Sequence, residues 1–128
     1  RGGRDGGPRP RCGGVTPAAV ACGEPVYECG RADASGADGG CRSITGGEFL
    51  AGPRWPEALR SRYVFADNAT RRMWSVELTK DRRGVVPGSR RDLGEAPGMP
   101  VSFRRGPGGD VYVAVLPGSV LRISPARP

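Results

Sequence analysis

Apolar residues alternate with polar or small ones in two separated stretches of the chain, with the period of half-buried β-strands. In the first, Arg62 to Asp67 and Arg72 to Leu78 make two arms rich in aromatic and β-branched residues. Asn68 to Arg71, a run of turn-formers, separates them, and the pattern predicts a β-hairpin. The second stretch, Tyr112-Val113-Ala114-Val115 and Leu121-Arg122-Ile123 around Pro117-Gly118-Ser119, echoes the first, with Tyr112 placed 49 residues after Tyr63. Glu48 to Ala51 predicts a further strand, entered through a small-residue loop at Thr45-Gly46-Gly47. Between the hairpins, Gly94 to Gly98 predicts a turn-rich link, Pro100 to Arg104 a strand, and Gly106 to Asp110 a tight hairpin connection. Helical periodicity is missing throughout.

A strand-only repeat of 40 to 50 residues is the signature of propeller blades. The expected fold is therefore all-β, about two blades of a β-propeller made of antiparallel sheets. An irregular, Gly/Pro/Cys-rich segment, residues 1–42, precedes the blade region, residues 43–128. Propellers close with roughly four to eight blades. Two blades alone would expose strand edges and an apolar face, so the expected partners are missing N-terminal blades or another chain. Trp74, within a strand, is expected in the core between blades. Trp55, ahead of Pro56, covers a sheet edge or lines a cleft.

Composition sharpens the picture for the first third. The chain has 22 Gly and 13 Pro but only two Trp, three Tyr and three Phe, which argues against a large self-sufficient core. All four cysteines, Cys12, Cys22, Cys29 and Cys41, fall in this segment, with 9, 6 and 11 residues between neighbours. No C-x-x-C pair and no histidine occurs, so zinc ligation is disfavoured against disulfides, with free thiols as the alternative. Three pairings are possible. Cys29 with Cys41 and Cys12 with Cys22 are favoured because they close the shortest loops. Disulfides imply an oxidising compartment, extracellular or periplasmic.

The net charge of +7 comes from 19 Arg and one Lys, Lys80. Such lopsided usage beside abundant Gly and Pro reflects a GC-rich coding sequence more than a phosphate-binding surface. The paired arginines are scattered over strand ends and turns, as on a solvated surface. The opening RGGRDGGPRPRCGG resembles an arginine-glycine RNA-binding tail, but no aromatic residue occurs before Tyr27. No nucleic-acid partner is expected. No apolar run is long enough to span a membrane. With Arg1 first and no charged-then-apolar leader, the expectation is a piece of a longer secreted protein.

From Ser43 to Trp74 the chain reads SITGGEFLAGPRWPEALRSRYVFADNATRRMW. The order ITGG, Gly-Pro, Trp-Pro, Y-x-F-A-D and an Arg-aliphatic-Trp strand resembles the glucose/sorbosone dehydrogenase family, soluble quinoprotein β-propellers. That resemblance implies a parent enzyme oxidising a sugar or sugar aldehyde with pyrroloquinoline quinone (PQQ) and calcium, a histidine acting as base. A chain without histidine would depend on other blades for the base and be inactive alone. The resemblance places cofactor-binding residues at Asp67, Asn68 and Arg71, while family cation positions near Ala69 and Met99 to Val101 are unmatched. An Asp-Asn pair at a turn also commonly bonds its own backbone. The alternative function is a non-catalytic extracellular propeller that binds carbohydrate or protein partners.

Overall fold

A computed structural model describes residues 26, 27, 29 and 40–126, and they form strands only, with no helix among them. The first sheet holds β1 (Ile44–Phe49), β2 (Tyr63–Asp67), β3 (Arg72–Val76) and β4 (Arg91–Glu95). The second holds β5 (Met99–Arg105), β6 (Val111–Leu116) and β7 (Ser119–Ile123). Within each sheet the strands lie in chain order, every neighbouring pair antiparallel. The chain passes from the last strand of one sheet directly to the first strand of the next. There β5 lies beside β1 and runs in the same direction, since Thr45 Oγ1 donates to Pro100 O at 2.9 Å and Arg105 N to Glu48 Oε2 at 3.3 Å. These are two antiparallel, stacked sheets of four and three strands, as in about two propeller blades.

The alternation decides which face of each strand is buried. In β6, Val111, Val113 and Val115 are buried while Tyr112 and Leu116 are exposed. Their buried side meets Val64 and Ala66 of β2, and Phe103, Leu50 and Trp55 complete the core between the sheets. Each such side chain contributes about 1.5–3 kcal/mol on burial. Trp55 enters this core from the 50–62 connection and donates its indole N–H to Gly109 O at 2.8 Å. Trp74 is buried too, but with Phe65, Val76 and Cys41 on the side of the first sheet turned away from the second. It is core, though not between these two sheets, because its register partner Phe65 points away from Val64 and Ala66.

Several strand limits differ from the sequence pattern: β2 starts at Tyr63, β3 ends at Val76 and β5 runs from Met99 to Arg105. The Thr45-Gly46-Gly47 loop belongs to β1, which carries a register shift between Thr45 and Glu48. A Cβ on Gly47 would lie 1.5 Å from Val64 O, so only glycine permits this approach. The expected strand at 48–51 therefore ends at Phe49. Gly94, expected in a link, sits in β4, all five of whose residues are exposed and give no apolar alternation. Cys29 and Cys41 are joined by a disulfide. The expected Cys12–Cys22 pair and the irregular character of residues 1–42 lie, for the most part, outside the described residues.

Candidate functional site

The residues marked by the resemblance stand at the turn between β2 and β3. Asp67 is fully buried. Its Oδ2 accepts the backbone N–H groups of Arg42 and Ser43, the latter at 2.7 Å, and its Oδ1 accepts that of Thr70 at 2.8 Å. Burial alone would raise its pKa, but the amides of Ser43, Thr70 and Arg42 outweigh it and hold the carboxyl below the ordinary carboxylate range. Asn68 donates its side-chain amide to Pro100 O at 2.8 Å, the same carbonyl that receives Thr45 Oγ1. Arg71 has φ 64° and its guanidinium pairs with Glu95 of β4 at 3.1 Å.

These three side chains do not converge. Asn68 reaches toward β5 beside the inner strand β1, whereas Arg71 reaches to β4 at the far edge of the sheet. With strands about 4.8 Å apart, that divergence spans the blade. Asp67 has its carboxylate committed to three amides. A quinone carrying several carboxylates would need free cations here, and the group does not fit the residues present. Nor do three or more His, Cys, Asp or Glu side chains gather as a metal cage among the described residues.

A second polar cluster, unmarked in the sequence, lies at the other end of the blade. Arg62 is buried, donates Nε to Ser75 Oγ at 3.0 Å and Nη2 to Ser75 O at 3.1 Å, and also bonds Ser89 O. Burial and the nearby Arg91 lower its pKa, and Glu77 at 3.8 Å acts in the opposite direction. Nearby in function but on the second sheet, Asp110 is buried at the β5–β6 turn, with Arg54 at 3.5 Å and Arg122 at 3.9 Å from its Oδ2. Both clusters anchor loops to strands. Arg62 was hidden in the sequence because nothing distinguishes one buried arginine among 19.

The outward face of the first sheet carries an apolar cluster of its own. Tyr27 packs on Phe65 with ring centroids 5.5 Å apart, and the Cys29–Cys41 disulfide lies in the same cluster. Beside them opens a recess of about 390 Å³ lined by Ile44, Phe49, Tyr63, Val76, Leu78 and Val85 among others. Arg82 stacks over Phe49 at 5.1 Å on its rim. The polar side-chain groups of this lining are the hydroxyls of Tyr27 and Tyr63, already engaged by Arg90 Nη1 at 3.2 Å and Gly47 N at 2.9 Å, so the recess suits a packing partner better than a reacting one.

No family model, curated protein or solved structure matches this chain. The likeness to glucose/sorbosone dehydrogenases therefore rests on the sequence resemblance alone, which spans about Pro25 to Ile123 and is strongest over Ser43 to Trp74. Among the described residues no helix is long and apolar enough to cross a membrane.

Proposed function

We propose that this chain is a non-catalytic blade module of an extracellular β-propeller, serving to bind carbohydrate or protein partners and not to oxidise a sugar. What supports this reading is the commitment of Asp67: its carboxylate is spent on the amides of Arg42, Ser43 and Thr70. Asn68 and Arg71 are likewise tied to Pro100 and Glu95. Residues placed to hold a quinone by resemblance are thus the fastenings of the blade. The extracellular setting is favoured by the Cys29–Cys41 disulfide. Titration of the chain with PQQ and calcium, followed by a dye-reduction assay over a panel of sugars, tests it. The expected outcome is neither saturable PQQ binding nor a quinone-dependent rate.

A second reading is favoured by the ITGG-to-Trp motif. In it the chain contributes two blades to a glucose/sorbosone dehydrogenase-like parent, whose other blades supply the histidine and the PQQ and calcium site. A quinone-dependent rate on any sugar from the same assay, run with a longer form of the protein, would establish this second reading in place of the first.

A further inference from the structure

Each blade of a propeller has two faces, and each face needs a neighbour. Here the rear face of the first sheet, the one turned to the second, carries the cross-strand pair Ala66↔Met73. It is covered by the front face of the second sheet, where Val113↔Leu121 and Val111↔Ile123 pair across strands. The rear face of the second sheet carries Ala114↔Val120 at the corresponding place, a small residue on the middle strand opposite a larger apolar one. None of the described residues covers it. Val120 is 70% exposed, and Met99, Leu116 and Tyr112, at 41%, 45% and 38%, surround it. Among the described residues, four of the eight large exposed apolar residues thus share one sheet face.

The front face of the first sheet offers the matching half. It is apolar, with Phe65↔Trp74 and Tyr63↔Val76 paired across β2 and β3. Tyr27 and the disulfide cover only part of it, leaving the recess bordered by Ile44, 49% exposed, and Val85. A raised apolar row and an apolar recess therefore lie on opposite ends of the stack.

We infer that the occupant of both faces is a second copy of this chain, its front recess receiving the Val120 row, so that copies join head to tail. The argument is continuity: the contact repeats the front-to-rear packing that already joins the two sheets within one chain. Because β1 and β5 run in the same direction, that packing is a rotation. A repeated rotation closes into a ring where it divides a full turn. With two blades per chain and four to eight blades per propeller, closure takes about two to four copies. This inference rests on reading the sheets as blades that need neighbours.

Sedimentation of the full chain tests it, alongside V120E and I44E, each of which puts a carboxylate into one of the two faces. Both positions are exposed within the chain, so the variants keep the wild-type β signal in circular dichroism. The wild type is expected as a single species of two to four copies. Each variant should need a concentration at least roughly tenfold higher to assemble. An equal mixture of V120E and I44E should form a one-to-one dimer and nothing larger, since each supplies the face the other lacks. A monomeric wild type, or variants that assemble unchanged, would overturn the inference. A monomer that binds the dye ANS through the Val120 row, with binding lost in V120E, would overturn self-assembly and leave the blade reading standing. A monomer that binds no ANS would overturn both.

Discussion

Asp67 Oδ2 accepts the backbone N–H of Ser43 at 2.7 Å across 24 residues of chain, and the neighbouring Asn68 N donates to Ser43 O at 2.8 Å. One turn therefore holds both polar groups of the Ser43 backbone and fixes where β1 begins. Through Asn68 it also fixes Pro100, where β5 begins. A single Asp-Asn pair sets the spacing of both blades at this end.

Asp67→Ala should lower stability by about 3 kcal/mol or more, since three amides in part-buried hydrogen bonds lose their acceptor. Its folded pKa lies below the unfolded value of about 3.9, so the unfolded chain binds more protons in that range. The stabilisation is complete above about pH 4 and is lost as pH falls through the folded pKa. Urea unfolding between pH 2 and pH 6 should show the wild-type midpoint falling in acid. Asp67→Asn should lack this fall at a lower overall stability.

Gly46 and Gly47 are adjacent in β1 yet differ in what an added methyl would meet. At Gly47 it lies 1.5 Å from Val64 O, and at Gly46 nothing lies within 4 Å. Gly47→Ala must push β1 off β2 or slide its register, with a cost of about 3 kcal/mol or more, while Gly46→Ala should stay within about 0.5 kcal/mol. Thermal denaturation of the two variants separates them. Equal effects would mean that the register shift between Thr45 and Glu48 does not depend on this approach.

The hairpin of β2 and β3 was legible because both faces are buried: Val64 and Ala66 against the second sheet, Tyr63 and Phe65 under Tyr27. β4 was not, since its RDLGE residues are all exposed and its partner β3 alone gives it a place. The 49-residue echo marks corresponding strands but not corresponding residues. Tyr63 and Tyr112 both point away from the inter-sheet core, and as β1 and β5 run the same way, they occupy opposite faces of their blades. The packing instead matches Ala66↔Met73 with Ala114↔Val120. Asp67 and Asn68 stand out in the sequence as an Asp-Asn pair at a turn, but sequence alone does not show which groups they bind: backbone amides and a carbonyl of their own chain.

Arg62 ties the start of β2 to Ser75 of β3 and to Ser89 ahead of β4. Removing it leaves two carbonyl oxygens and a hydroxyl without their donor in a buried place. Arg62→Ala should cost about 3 kcal/mol. Arg62→Lys keeps the charge but offers no planar fork to serve Ser75 and Ser89 together, and it should recover only part of the loss. Differential scanning calorimetry that ranks wild type above Lys above Ala supports this. A Lys variant equal to the wild type would show that charge alone suffices.

The Cys29–Cys41 disulfide fastens Tyr27 to the front of the first sheet, over Phe65 and beside Trp74. It closes a loop of sequence separation 12, for which the chain-entropy estimate is about 3 kcal/mol. Replacing both cysteines by serine should lower stability by about that amount. It should also uncover Trp74, now only 1% exposed, because the disulfide sulfurs and the Tyr27 ring belong to the layer above it. Iodide quenching of tryptophan fluorescence should therefore rise in the double variant, with Trp55→Phe used in both backgrounds to leave Trp74 as the sole reporter. Lower stability without added quenching would assign the disulfide to restraint of the unfolded chain alone. Added quenching would make it the cover of the blade face as well.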